Sequence, residues 1–207
     1  SKSIFCVRLS LYGRVRMNEP ADGRVFIHTV DASGNIAEVN DEWVEFAIEN
    51  GAPELLRQAV VGHAIWDFMD GKETRHLSRL LLEKVRTSGK AITLPYRCDS
   101  PALKRYMEME IVQVGGGVIE FRSRAIRIET REPVALIDID AARSADFLTI
   151  CSWCTRARTQ RGWVELDEAV RELGLFSMDA LPQITHGMCA DCAKLIISKV
   201  KGSSGFV

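Results

Sequence analysis

Two pairs of cysteines stand near the C-terminal end of the sequence, Cys151-Ser-Trp-Cys154 and Cys189-Ala-Asp-Cys192. A two-residue gap lets both sulfurs of a pair turn inward on one tight curl of backbone. Two such curls, brought together by folding, complete a tetrahedron around a metal ion. Four thiolates are the donor set of a structural zinc site, so Cys151, Cys154, Cys189 and Cys192 are the expected ligands and Zn2+ the expected cofactor. A closed set leaves no open coordination position, and its expected role is to fold the chain rather than to catalyse. His186, shortly before Cys189, is a spare ligand. No His directly follows either pair, which excludes haem attachment of the Cys-x-x-Cys-His kind. A redox dithiol or two disulfides are the competing chemistries. Cys6 and Cys98 stand alone and read as small buried apolar residues. A zinc tetrathiolate carries a charge of about −2, and Arg156, Arg158, Arg161 and Lys194 are close enough in sequence to offset it.

The chain that positions these thiols has 207 residues, room for one ordinary domain and a small one. Its hydrophobic share of 46% and charged share of 27% describe a globular protein. A net charge of -1 gives no general attraction to nucleic acid. The apolar start is interrupted by Arg8 too soon for a secretory signal, and no apolar run reaches membrane-spanning length. Reduced thiols and a metal site agree on the cytoplasm as the expected compartment.

The hydrophobic pattern divides the chain at 1–24, 25–128, 129–147, 148–200 and 201–207. The first stretch is a basic extension and the last a flexible tail. From residue 25 the pattern predicts two strands, over 25–30 and 35–39, joined by the turn Asp31-Ala32-Ser33-Gly34. Asn40 or Asp41 then caps a helix carrying Trp43, Phe46 and Ala47 on one face. Pro53 opens a short helix reaching Ala59. A longer helix spans 72–87, with Leu77, Leu80, Leu81 and Val85 at helical spacing and Gly89 as its stop. Three strands follow, over 92–98, 105–114 and 118–128. In the middle one Met107, Met109 and Ile111 alternate with Glu108 and Glu110. The expected fold class is α+β, a five-stranded antiparallel sheet with helices over one face, followed by a small zinc unit. Trp43, Trp66 and Phe68 are expected in the core. Within 148–200 the pattern predicts a strand at 162–166, a helix over 168–173 capped by Asp167, and a last helix over 191–199 whose start carries the second cysteine pair. Its N-terminal amides favour negative sulfur. A cysteine turn followed by a pair at a helix start resembles a treble-clef zinc arrangement.

The segment from about Arg24 to Ile128 resembles a PAS sensor domain, through Val30-Asp31-Ala32-Ser33-Gly34-Asn35-Ile36, Val39-Asn40 and Val61-Gly62-His63-Ala64-Ile65-Trp66-Asp67-Phe68. The C-terminal words Ile150-Cys151-Ser152-Trp153-Cys154, Gly162-Trp163-Val164 and Thr185-His186-Gly187-Met188-Cys189-Ala190-Asp191-Cys192 resemble a cysteine-rich appendix of bacterial PAS signalling proteins. The resemblance implies a ligand pocket between sheet and helices and a homodimer through the PAS domain. The flavin-reactive word Asn-Cys-Arg-Phe is absent, and Cys98-Asp99 does not replace it. His28, His63 and His76 are the candidates for a haem ligand, each read first as a surface or edge histidine. Arg97 and Arg105 flank the Asp99-Ser100-Pro101 turn and read as solvated strand-end arginines or as a carboxylate clamp. Trp153 is expected to shield the sulfurs.

These readings make the chain a bacterial signal-transduction sensor whose output runs through contacts with a separate signalling protein. A thiol-based redox sensor and a zinc-ribbon-like nucleic-acid binder are the alternatives. No nucleophile–base pair, phosphate loop or open metal triad is found, so enzymatic activity is not expected.

Overall fold

The computed structural model describes residues 23–138 and 140–202. The expected extension over 1–24, apart from its last two residues, lies outside them, with Cys6 and most of the expected tail. Strand β1 (Val25–Val30) pairs antiparallel with β2 (Ile36–Val39). Helices α1 (Asp41–Glu49), α2 (Arg57–Val60) and α3 (Lys72–Ser88) follow. Strands β3 (Ile92–Arg97), β4 (Leu103–Gly115) and β5 (Val118–Thr130) complete an antiparallel sheet of order β2-β1-β5-β4-β3. The expected five-stranded sheet and α+β class are therefore present. The single short helix expected after Pro53 is two pieces, a 3-10 turn over Pro53–Leu55 and then α2.

Local chemistry sets the element ends. Asn40 caps α1: its Oδ1 accepts from the Trp43 amide at 3.1 Å and from the Ile27 amide at 3.0 Å, while its Nδ2 donates to the Val25 carbonyl at 2.7 Å. One side chain thus fixes both the helix start and its seat on β1. Gly89 ends α3 with φ 65°, a left-handed conformation that a side chain would strain, and its amide donates to the Val85 carbonyl.

The sheet's inner face and the helices share one core. Leu77, Leu81, Leu82 and Val85 of α3, Trp43 and Ala47 of α1, and Leu55, Ile65 and Phe68 of the connecting turns pack on Val30, Leu94, Met109, Ile111, Ile119 and Phe121. Trp66 is half-buried against this core rather than within it. The other face is wet. Glu108 stands opposite Arg124 and Glu110 opposite Arg122, and each pair closes an ion pair, at 2.7 and 3.3 Å. The cost of burying polar backbone is met by the ladder, so the alternation along β4 decides which side faces the helices.

His28 does not behave as the expected edge histidine. β1 lies between β2 and β5, and His28 is 4% exposed, stacked on Phe121 at 4.5 Å and edge-on to Trp43 at 5.3 Å. His63 and His76 are exposed, on a turn and on the outer side of α3.

A second sheet follows, with order β8-β7-β6-β9. Strands β6 (Arg143–Cys151), β7 (Ala157–Thr159) and β8 (Gly162–Val164) precede α4 (Leu166–Glu172), β9 (Leu181–Gly187) and α5 (Ala190–Lys201). Strands β6, β7 and β9 are additions to the sequence reading. Asp167, expected as the cap of α4, sits in its first turn instead, and Glu165 occupies the cap position without a side-chain bond. A second core gathers Val134, Leu136 and Ile137 with Leu148, Ile150, Leu166, Val170 and Leu175. Cys151, Trp153, Cys189, Cys192 and Ile196 belong to the first core. No helix among the described residues is long and apolar enough to cross a membrane.

Burial pulls the His28 imidazole down to about 3, against about 6.5 for an exposed one. The unfolded chain then binds a proton that the folded chain refuses. Stability is full above pH 6.5 and falls as pH drops toward 3. From pH 7 to pH 5 the loss expected from this group is about 2 kcal/mol. Urea denaturation at the two pH values checks it: the His28→Phe variant is expected to lose less stability than the parent by about that amount.

Candidate metal centre

The two cysteine pairs meet because β6 and β9 run parallel. In their register Ile150 faces His186 and Cys151 faces Gly187, so both strands end at the same level. The first pair lies on the turn leaving β6. There the Thr155 amide donates to the Cys151 carbonyl at 3.0 Å and the Cys151 amide to the Arg156 carbonyl at 2.8 Å. The second pair opens α5. The Cys189 sulfur occupies the cap position and accepts from the Cys192 amide at 3.4 Å, and the Cys189 amide donates to the Cys151 sulfur at 3.4 Å. Amides of a helix start therefore point at sulfur, as the macrodipole favours.

All four sulfurs lie within 4.8 Å of one another, and those of Cys154 and Cys189 are 3.7 Å apart. A tetrahedral ion with bonds of about 2.3 Å to sulfur needs sulfurs about 3.8 Å apart. The donor set and its spacing fit a metal ion, and no described cysteine is in a disulfide. Cys151, Cys189 and Cys192 are buried and Cys154 is half-buried. Hydrogen bonds with Cys154 and Cys192 hold the Cys151 thiol far below the usual range, and those with Cys151 and Cys154 push Cys192 far above it. Crowding explains both directions: one thiolate is stabilised by neighbouring S–H groups, and further ionisation needs a cation.

Of the basic residues expected to offset thiolate charge, Arg156 alone donates to the sulfurs among the described residues. Its Nε lies 3.3 Å from the Cys154 sulfur and its Nη2 3.3 Å from that of Cys189 and 2.8 Å from Asp191. Hydrogen bonding to Cys154 and then Asp191 raises the affinity of Arg156 for its proton. Arg158, Arg161 and Lys194 are exposed, and Arg161 pairs with Glu168 instead. His186 is outside the sulfur cluster. Its Nδ1 is 3.6 Å from an oxygen of Asp70, just before α3, and burial lowers its pKa while Asp70 opposes this. Gly187 earns its place by crowding: a Cβ there would stand 3.1 Å from Thr149 and 3.7 Å from Trp163. The His-Gly and Gly-x-Trp words thus touch one another.

The first cysteine turn is anchored on β3, the edge strand of the large sheet. The Arg97 amide donates to the Trp153 carbonyl at 2.9 Å, and the Trp153 indole to the Pro95 carbonyl at 2.7 Å. Trp153, expected to shield the sulfurs, covers this edge and lies 6.4 Å from Tyr96. Thr74 and Ser152 hydroxyls meet at 3.2 Å. Beneath the turn sits Asp99, with no exposure to solvent. It accepts from Arg97 Nε at 2.9 Å, Arg131 Nη1 at 3.2 Å, the Thr155 hydroxyl at 3.1 Å and the Arg105 amide at 3.3 Å. Thr155 has φ 59°, the one positive value outside glycine among the described residues, and this bond to Asp99 helps hold it there.

Arg97 and Arg105 are not solvated strand-end residues; they are 8% and 6% exposed. Arg97 also reaches Glu165 at 3.2 Å. Burial pulls the Arg97 pKa down, and Asp99 with Glu165 outweigh it, so the net shift is upward. Arg131 goes the other way, because burial exceeds the attraction of Asp99 and Asp167. Asp99, Thr155 and Arg131 carry no motif of their own in the sequence; an Asp between two arginines around a turn is the one local signal of this cluster.

No family model matches the chain, and neither does any curated protein.

Asp99→Asn removes the charge that compensates two buried guanidinium groups. Breaking one partner of a buried ion pair costs about 3–5 kcal/mol. Chemical denaturation of Asp99→Asn is expected to show a loss in that range, whereas Glu108→Gln, on the wet face, is expected to change stability by about 1 kcal/mol or less.

Proposed function

We propose that the chain is a sensor module of bacterial signal transduction, in which a PAS-like ligand-sensing domain is coupled to a structural zinc unit of treble-clef type. The observation that carries this reading is the tetrad of Cys151, Cys154, Cys189 and Cys192, whose sulfurs lie within 4.8 Å of one another and share a core with the large sheet. A tetrathiolate of this spacing suits zinc, which has no geometric preference of its own and accepts four sulfurs readily. Bound there, the ion closes the site and supplies folding energy; it offers no open position to a substrate. Arg156 reduces the site's negative charge, and the amides of Cys189 and Cys192 orient the sulfurs they touch.

Coupling is supported by the segment that follows β3. Tyr96 and Cys98 line a cavity on the inner side of the sheet. Arg97 and Asp99, alternating with them, hold the first cysteine turn. A displacement on one side of this segment is thereby felt on the other. Output then passes through protein contacts, within a homodimer or to a separate signalling protein. Burial of Cys151, Cys189 and Cys192 weighs against thiols that cycle with solvent oxidants. The pairing of Arg161 with Glu168 weighs against a broad basic face for nucleic acid.

Elemental analysis of anaerobically purified protein tests the reading. About one zinc ion per chain is expected, with strong chelation exposing residues 143–201 to protease. Cys151→Ser and Cys192→Ser are expected to lose the metal. Metal-free protein whose tail keeps its protease resistance ends the proposal.

A further inference from the structure

A cavity of about 70 Å³ lies at the end of the large sheet's inner face, beside α1. Phe26, Trp43, Phe46, Met107 and Met109 give it an apolar wall, and Ser123 and Ala125 of β5 form its floor. No residue of α3 lines it. Its rim includes Arg24, whose side chain is 25% exposed and paired with Glu49.

Two buried polar groups in this wall lack a full complement of partners. The Nε2 atom of His28 has no hydrogen-bond partner among the described residues, although the residue is 4% exposed. The Arg105 guanidinium, on a residue 6% exposed, donates to the Cys98 carbonyl at 3.3 Å and forms no ion pair among the described residues. Asp99, the nearest carboxylate in sequence, spends its oxygens on Arg97, Arg131 and Thr155 and takes only the backbone amide of Arg105. A guanidinium this little exposed, with one neutral acceptor, carries a desolvation penalty that an anion relieves. A buried imidazole without a partner carries a similar, smaller penalty. Both penalties sit in the wall of the same apolar hole.

We propose that this cavity binds a small carboxylic acid with a short aliphatic body, its carboxylate held by Arg105 with His28 and Ser123, its carbons among Phe26, Trp43 and Met107. Arg105 presents the planar fork that matches a carboxylate. His28 adds one N–H toward it. Size sets the body: an apolar cavity of about 150 Å³ admits benzene, so this one takes an acid of about three or four carbons. The proposal deepens the sensor reading by naming its ligand class, and it does not depend on the metal centre.

Titration calorimetry on the metal-loaded full chain tests it, with propionate, butyrate and isobutyrate compared with their amides. Saturable acid binding is expected, the amides being weaker by about tenfold or more, as loss of a charge-assisted bond implies. Arg105→Gln is expected to erase the preference for acid over amide. Ala125→Leu fills the cavity from β5 without touching the Asp99 cluster, and is expected to remove binding while the near-ultraviolet circular dichroism stays native. Metal content measured on each sample separates a failure of this site from a failure of the zinc unit. Absence of saturable acid binding, equal affinity for acid and amide, tighter binding of inorganic phosphate, or binding unchanged in a folded Ala125→Leu overturns the proposal. If Arg105→Gln does not fold, the acid–amide comparison and Ala125→Leu decide it.

Discussion

A carboxylate without solvent exposure, that of Asp99, ties the end of β3 to the segment after β5 and to the first cysteine turn. Neither arginine on it could be buried alone, since a desolvated guanidinium needs a compensating charge. Asp99 in turn is tolerable in the interior because its oxygens are filled by N–H and O–H donors. The cluster therefore forms whole or not at all. Its partners come from Arg97, Arg131 and Thr155, so docking of the cysteine unit on the large sheet is specified by charge and direction, where apolar packing alone would allow sliding.

The same junction solves the problem of an open sheet edge. β3 is the last strand of the large sheet, and its free backbone groups would invite pairing with another chain. Pro95 removes one donor, and its carbonyl is taken by the Trp153 indole. The Arg97 amide is taken by the Trp153 carbonyl. The turn that carries the first two sulfurs thus caps an edge, and the sulfur tetrad and the sheet stabilise one another. Helix α5, whose first turn carries the second pair, packs against α3 and extends the shared core through Ile196.

Electrostatics around the sulfurs follows the same pattern of local compensation. Thiolates this close repel one another, and the chain answers with the amides of Cys189 and Cys192 and with the guanidinium of Arg156, itself steadied by Asp191. They bring the donor atoms into position and lower the cost of gathering them.

Composition, periodicity and spacing were sufficient for the five-stranded sheet and for the pairing of the cysteines that cluster. Alternation along Met107, Met109 and Ile111 marks the buried face of β4, the Leu77–Leu81–Val85 stripe marks α3, and the Cys-x-x-Cys pairs mark the sulfur cluster, because each signal is local to its own element. Strands β6 and β9 escaped, since β9 mixes Pro182 and Gln183 with Ile184 and pairs with a distant parallel neighbour rather than across a turn. The burial of His28 and Arg97 escaped for a related reason: polar residues read as exposed until the groups that cover them are known, and those groups, Phe121 and Trp43 for His28 and Glu165 with the Trp153 turn for Arg97, come from distant segments. Alternating and capping positions, and the paired cysteines, are legible in the residues alone. That the cysteine turns meet, that Asp99 is shared with Arg131 and Thr155, and that Arg105 and His28 line one cavity is visible only in the folded chain, because each depends on segments brought together by packing across long stretches of sequence.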